Sequence, residues 1–131
     1  DRTHPGGSLG RRLLLSVKDE MITQNLPFVN KNGTMKEVVL KMTESRLGLA
    51  LIGNEEKLEG IITDGDLRRS LLMSDDFTKI EIKDILNKSP MTAYENDNLQ
   101  VAHERMKEAR LQSLVVKNND EKIVGVIQIF K

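Results

Sequence analysis

Residues 60–66 read Gly-Ile-Ile-Thr-Asp-Gly-Asp, an apolar β-branched run that ends in polar residues. Thr63 and Asp66 stand three positions apart, which is the spacing of a capping box at the start of a helix. The stretch therefore predicts a β-strand that passes directly into a helix. Its apolar half returns as Gly125-Val126-Ile127, which indicates that this part of the chain occurs twice.

Three further matches repeat in the same order. Val17-Lys18-Asp19 recurs as Ile82-Lys83-Asp84, residues 36–42 align with 100–106, and residues 49–52 align with 113–116. The offset is 64 or 65 throughout, so one extra loop residue explains the drift. Several short matches at a constant offset predict two structural repeats.

The first repeat predicts a β-α-β-β-α succession. Thr34 and Glu37 form another capping box, and the helix behind it has an apolar face made of Met35, Val38, Val39 and Met42. Residues 49–52 and 58–63 then form a hairpin around the turn 53–57. The helix after Thr63 covers 64–73, with an apolar side made of Leu67, Leu71 and Leu72.

The second repeat predicts the same elements: a helix over 98–109 and strands near 113–116 and 122–130 around the turn 118–121. We expect an α+β fold of two modules that pack sheet to sheet with pseudo-twofold symmetry, helices outside and the last helix truncated, because one module alone buries too little surface. The expected limits are 1–16 for a linker, 17–76 for the first module and 77–131 for the second.

Composition excludes several classes of protein. The 131 residues carry 20 Lys and Arg against 20 Asp and Glu, mixed along the chain, so no charge field attracts nucleic acid or an anionic membrane. There are no cysteines and only two histidines, so we expect neither a disulfide framework nor a metal site. No apolar run approaches the roughly 18 residues of a membrane span. A cytoplasmic location fits these features.

The pattern resembles the CBS domain pair, a regulatory unit that senses small ligands. Residues 60–66 are similar to the strand-end motif of that family, G-h-h-T/S-x-x-D. In nucleotide-binding CBS modules the Thr hydroxyl and the Asp carboxylate hold ribose hydroxyls or lie beside the phosphate. The resemblance assigns these roles to Thr63 and Asp66. Arg68 and Arg69 follow on the same helix and could bind a phosphate or carboxylate, and the free N–H groups of a helix start also favour an anion.

A purely structural interpretation stays open for these residues. Thr63 and Asp66 also make a good capping box that serves only to start the helix. Arg68 and Arg69 are typical of a solvated helix face, because paired exposed arginines are common on helices.

The second repeat departs from the motif. Gln128 and Lys131 stand where the first repeat has Thr63 and Asp66. A lysine cannot accept the protons of sugar hydroxyls, so we expect one principal ligand site, built around Thr63 and Asp66. Weaker candidates for its lining are Thr92, Ser89, Met91, Pro27 and Phe28.

The N-terminal segment narrows the resemblance. Residues 3–14, Thr-His-Pro-Gly-Gly-Ser-Leu-Gly-Arg-Arg-Leu-Leu, resemble the junction in arabinose-5-phosphate isomerases of the KpsF/KdsD type, where a sugar-isomerase domain leads into a CBS pair. Such enzymes interconvert D-arabinose 5-phosphate and D-ribulose 5-phosphate through an enediol, without a metal or organic cofactor. The resemblance places His4 at the isomerase site, here as an inactive remnant. His103 is expected to be solvated on the polar side of its helix.

The implied function is regulatory. Arabinose 5-phosphate feeds the synthesis of 3-deoxy-D-manno-octulosonate (Kdo) for lipopolysaccharide and some capsules, and CMP-Kdo is the activated form. One hypothesis is that the pair binds CMP-Kdo or a related cytidine or adenine nucleotide and reports its level to the isomerase domain. Another is a ligand-free assembly module that dimerises through its helices within a tetrameric parent, or within another CBS-containing protein. Catalysis by the fragment itself is not expected, because neither repeat holds a nucleophile-base pair, a carboxylate dyad or a metal cluster.

Overall fold

The computed structural model describes residues 14–129. The strands in this range are Phe28–Val29 (β1), Leu49–Gly53 (β2), Leu58–Thr63 (β3), Thr92–Tyr94 (β4), Ser113–Lys117 (β5) and Ile123–Gln128 (β6). The helices are Met35–Ser45 (α1), Asp64–Ser70 (α2), Ile82–Ile85 (α3) and Leu99–Ala109 (α4), with short 3-10 helices at Val17–Asp19 and Phe77–Lys79. The predicted α+β class is confirmed. No helix within residues 14–129 is long and apolar enough to cross a membrane.

The described residues divide into two compact units. One unit is Gln24–Pro90, named the Thr63 unit below, and the other joins residues 14–23 to 91–129 and is named the Gln128 unit. The module limits expected from the sequence, 17–76 and 77–131, follow the repeats, whereas the boundaries of the compact units lie at residues 23/24 and 90/91. Val17 is fully buried in the core of the Gln128 unit, and Ile82 is buried in the core of the Thr63 unit. The opening segment of each repeat is too short to bury its apolar side chains alone, so it joins the hairpin of the other repeat.

The sheet of the Thr63 unit has the strand order β1-β2-β3, with β1 parallel and β3 antiparallel to β2. β2 and β3 form the predicted hairpin, in which Leu49 pairs with Thr63. Val38 and Met42 of α1 pack with Ile52 of the sheet in the core of the unit. Because Leu49 is buried, the end of β3 lies beside a fixed apolar neighbour.

The Gln128 unit repeats this arrangement. Its strand order is β4-β5-β6, and Ser113 pairs with Gln128 as Leu49 does with Thr63. The register shift also falls at equivalent positions, 52/53 in β2 and 116/117 in β5. The repeat predicted at an offset of 64 or 65 is therefore confirmed in the backbone pairing.

Each hairpin is crossed by a neighbouring segment at a glycine. A Cβ atom on Gly60 would lie 2.3 Å from the carbonyl oxygen of Asn87, and one on Gly125 would lie 2.8 Å from that of Ile22. Isolated β-bridges join Ile61 to Asn87 and Ile22 to Val126 at the same places. The glycine that opens each apolar run is required because another backbone passes directly over it.

Two parts of the sequence prediction differ from the structure. Val39 was expected in the apolar face of α1, yet its side chain is 38% exposed, because the sheet accommodates only the stripe of Met35, Val38 and Met42. The helix after Thr63 ends at Ser70 instead of residue 73, since residues 71–73 tighten into bonds to carbonyls three positions back. Leu71 and Leu72 are consequently exposed, and only Leu67 packs against the core.

Candidate functional site

The junction between β3 and α2 is a complete capping box. Thr63 is extended, with φ −101° and ψ 168°, and its hydroxyl accepts a hydrogen bond from the Asp66 N–H at 3.2 Å. In return the Thr63 N–H donates to Oδ2 of Asp66 at 2.9 Å. The pair of side chains that the motif singles out is therefore held in place by the helix start itself, and both interpretations of the motif share one geometry.

Arg69 occupies the other carboxylate oxygen. Its Nη2 donates to Oδ1 of Asp66 at 2.7 Å, with side-chain exposures of 71% for the arginine and 20% for the aspartate. Arg68 is also exposed, as the solvated interpretation expects. The two arginines that looked equivalent in sequence thus differ, because Arg69 is an Asp66 partner.

The start of α2 has fewer free N–H groups for binding an anion than the sequence indicated. The helix has only seven residues, so its dipole is short. The Asp64 N–H donates to the carbonyl of Gly48 at 3.1 Å, and the Asp66 N–H is taken by Thr63. Two of the first three N–H groups of α2 are therefore already bonded, so binding of a charged ligand at this junction depends mainly on side chains.

The register places part of the predicted lining at the same end of the sheet. Leu49 pairs with Thr63, and Leu51 pairs with Phe28 at the start of β1. Pro27 is buried and Phe28 is half-buried, and the Pro27 carbonyl accepts from the Leu51 N–H at 2.8 Å. These two residues lie on the far side of β2 from Thr63, within the Thr63 unit.

The remaining predicted residues lie elsewhere. Ser89 is exposed in the Thr63 unit, whereas Met91 and Thr92 belong to the Gln128 unit. The Thr92 side chain is half-buried, and its carbonyl accepts from Arg105 at 3.2 Å. His4 and Lys131 fall outside the described residues.

His103 is not solvated as expected. The residue is half-buried, and its Nε2 atom is buried without a hydrogen-bond partner among the described residues. It borders a cleft of about 300 Å³ together with Leu15, Glu20 and Lys107. The helical pattern missed it because residues 14–23 cover this side of α4, and that contact is not visible in the periodicity of α4 alone.

A larger cleft lies at the opposite end of β3 from Thr63. It has a volume of about 530 Å³, and Thr34, Glu59 and Lys83 are among the residues that border it. Glu59 forms a salt bridge with Lys57, with 3.8 Å between Oε2 and Nζ. No group of three or more potential metal ligands lies together within residues 14–129.

Shifted pKa values fall in the Gln128 unit. The Ser16 N–H and hydroxyl donate to Asp19 and lower the pKa of that carboxyl below 3.8. The Tyr94 hydroxyl donates to Glu121 at 2.6 Å, which raises the pKa of the tyrosine and lowers that of the glutamate. All three groups are on the surface, where their hydrogen bonds join neighbouring residues of turns and strand ends.

The sequence model of the CBS domain family matches residues 17–73 and 82–129, which together make up most of the chain. The chain belongs to the CBS domain family. The CBS pair expected from the motif and the repeat is thereby confirmed.

Curated relatives of this CBS pair include arabinose 5-phosphate isomerases. It is 42% identical to a probable enzyme of that name from Haemophilus influenzae, over 95% of this chain and 37% of that protein. It is 38% identical to KpsF of Escherichia coli (98% and 39%) and 35% identical to KdsD of Salmonella typhi (97% and 39%). The chain thus spans about two fifths of the length of these relatives. The predicted similarity to the KpsF/KdsD type is confirmed.

Solved structures with this fold include CBS proteins that carry ligands. A CBS domain protein from Pyrobaculum aerophilum complexed with AMP has a TM-score of 0.76 at 23% identity, over 87% of both chains. The CBS domain pair of protein MJ0100, in complex with 5′-methylthioadenosine and S-adenosyl-L-methionine, also has a TM-score of 0.76, at 22% identity over 88% and 90% of the two chains. At these identities the similarity concerns the fold.

Proposed function

We propose that this CBS pair binds a nucleotide or nucleotide sugar at the β3–α2 junction. Thr63 and Asp66 contact the ribose, and Arg69 or Arg68 contacts the phosphate. The observation that carries the proposal is a hydroxyl and a carboxylate fixed side by side at the strand end of a CBS chain. Asp66 already accepts one hydrogen bond on each oxygen, from Thr63 at Oδ2 and from Arg69 at Oδ1, so a vicinal diol binds Asp66 by exchange with Arg69.

The ligand class is supported by the AMP complex of a protein with the same fold. The relatives that this chain matches include several arabinose 5-phosphate isomerases, so we propose that the parent is such an isomerase and that His4 belongs to its active site. CMP-Kdo, the activated end product of that route, is then the leading ligand, with Thr92 a further candidate contact. End-product control needs only different affinities for two arrangements of the protein, a coupling of about 1 to 3 kcal/mol.

Isothermal titration of this chain with CMP-Kdo, CMP and AMP tests the proposal. We expect saturable binding of at least one ligand, and its loss in the Thr63→Ala, Asp66→Ala double variant. Gln128→Ala is the matched control, because Gln128 has the equivalent position in the other hairpin and should leave binding unchanged. Absence of heat with all three ligands would overturn the proposal.

An assembly function is the second candidate. Val39 and Leu40 are exposed on α1, and Leu71, Leu72 and Met73 are exposed after α2. Exposed apolar side chains in such groups favour association, here as a dimer of CBS pairs within a tetrameric parent. Analytical ultracentrifugation of the chain and of a Leu71→Ser, Leu72→Ser variant tests this, since a dimer built on these residues would dissociate in the variant.

Under either function we propose a cytoplasmic location, as expected from the composition.

A further inference from the structure

We infer that Arg69 determines which ligands Asp66 accepts, by closing the carboxylate to neutral nucleosides and opening it to ligands that carry both a vicinal diol and an anionic group. The inference rests on the proposed nucleotide site and adds its specificity. It depends on side chains at the β3–α2 junction and not on the short helix that follows.

The first step is the state of the Asp66 carboxylate. Its Oδ2 is committed to the Thr63 N–H at 2.9 Å, a bond that the helix start requires. Its Oδ1 is the oxygen available for exchange, and Arg69 Nη2 occupies it at 2.7 Å. A diol that approaches Asp66 therefore meets a carboxylate whose exchangeable oxygen already has a charged donor.

The second step is the room that Gly65 leaves for the guanidinium. A Cβ atom on Gly65 would lie 3.2 Å from Nη1, 3.5 Å from Nη2 and 3.7 Å from Cζ of Arg69. The guanidinium thus lies over the glycine backbone on its way to Asp66. A Cβ atom at position 65 would require Nη1 of Arg69 to move by a few tenths of an ångström, so the glycine leaves room for the arrangement in which Arg69 reaches Asp66.

The third step is exchange. Arg69 is 71% exposed, and ion pairs this exposed contribute little to stability, so the guanidinium can leave Asp66 readily. An anionic ligand gives it a phosphate or carboxylate in return, in a charge-assisted bond, while the diol takes Oδ1. A neutral nucleoside breaks the same ion pair and provides no replacement, so it binds more weakly.

Arg68 provides the matched control. It carries the same charge one residue away on the same helix and is exposed, and no hydrogen bond or ion pair to Asp66 is seen for it. Removal of Arg68 changes the general electrostatic attraction for an anion, whereas removal of Arg69 also frees the Asp66 oxygen. The two variants therefore separate general charge from the specific exchange.

The experiment is isothermal titration with two pairs of probes that differ only by a phosphate, AMP with adenosine and CMP with cytidine. In Arg69→Ala we expect AMP or CMP to bind about tenfold more weakly and the nucleoside to bind severalfold more tightly, so that the preference for the nucleotide collapses. Gly65→Ala displaces the guanidinium only slightly, so it should lower the preference for the nucleotide by less than Arg69→Ala does. Arg68→Ala should leave the preference within about twofold of the parent.

A conservative variant controls for a folding defect. Arg69→Lys keeps the charge and the helix propensity, and we expect a preference between those of the parent and Arg69→Ala. Equal losses for nucleotide and nucleoside in Arg69→Ala, or equal effects of Arg68→Ala and Arg69→Ala, would overturn the inference. Binding that is lost in Thr63→Ala, Asp66→Ala but indifferent to Arg69 would overturn the inference alone, whereas absence of binding in the parent chain would overturn the proposed function as well.

Discussion

The hairpins of the Thr63 unit and the Gln128 unit have the same backbone register, but their last strands end in different residues. Leu49 lies opposite Thr63 in one hairpin, and Ser113 lies opposite Gln128 in the other. A hairpin register depends on backbone pairing and on which side chains are buried, and the two repeats share both. A ligand site depends on the functional groups at a few positions, and these differ. The scaffold is therefore duplicated, whereas the hydroxyl-carboxylate pair belongs to one copy.

The largest expected effects test whether the two cores are equivalent. Met42 and Met106 stand at matching positions, 6% and 0% exposed. Met42→Ala and Met106→Ala should each lower the free energy of unfolding by about 3 kcal/mol, because each leaves a cavity beneath its helix. Urea unfolding followed by circular dichroism measures this. Lys41→Ala and Glu108→Ala, on exposed positions of the same helices, serve as controls; a neutral result for either Met variant would show that the two helices do not close equivalent cores.

The two glycine crossings are the next comparison. Gly60→Ala places its Cβ 2.3 Å from a backbone carbonyl, against 2.8 Å for Gly125→Ala. Overpacking against backbone costs about 2 kcal/mol, and we expect Gly60→Ala to be the more destabilising of the two. The same unfolding assay checks the order. Gly65→Ala is the control, since its Cβ meets only the mobile end of Arg69, and it should be the mildest of the three.

The strand ends should differ in both stability and binding. Thr63→Ala removes a helix cap, so we expect a loss of about 1 kcal/mol, together with loss of nucleotide binding. Gln128 caps no helix within residues 14–129, so Gln128→Ala should destabilise the protein less than Thr63→Ala does and leave binding intact. Thr63→Ser keeps the hydroxyl and should restore both properties. Equal responses of Thr63→Ala and Gln128→Ala in calorimetric unfolding and titration would contradict the asymmetry.

The smallest effect is the pH dependence of the opening segment of the Gln128 unit. Hydrogen bonds from Ser16 lower the pKa of Asp19 in the folded state below its ordinary value of 3.8. A lowered pKa means that the carboxylate stabilises the fold above pH 3.8 and that this contribution is lost as the pH falls through the folded-state value. The urea midpoint of Asp19→Asn should therefore lie below that of the parent chain at about pH 6 and converge with it near about pH 2. Ser16→Ala, which retains the backbone donor, should show a smaller difference; a constant gap across this range would contradict the assignment.

Local patterns predicted the elements well. Capping boxes at Thr34 and Thr63, both hairpins and the repeat follow from short-range spacing, and the structure contains all of them. Leu71 and Leu72 were misjudged because the helix ends locally at Ser70, whereas His103 and Val39 were misjudged because their surroundings depend on distant residues. Leu15 and Glu20 lie beside His103, and Val39 is exposed because only Met35, Val38 and Met42 of α1 are buried in the core of the Thr63 unit.

The candidate site also has a part that was predicted from local sequence and a part that was not. Thr63 and Asp66 were identified from a local motif, because a capping box places both side chains through bonds within four residues. The distinction between Arg68 and Arg69 was not predicted, although Gly65, four residues before Arg69, leaves room for the Arg69 guanidinium to reach Asp66. An i, i+3 pair can be proposed from spacing, but side-chain direction decides whether it forms.

The sequence by itself determined the CBS repeat, the strand and helix order and the position of the Thr63 motif, since these follow from spacing along the chain. Only the tertiary structure decided which segments share a core and which polar atoms are already bonded. Val17 packs with the second hairpin and Ile82 with the first, because buried apolar area depends on neighbours brought together by folding and not on distance in sequence.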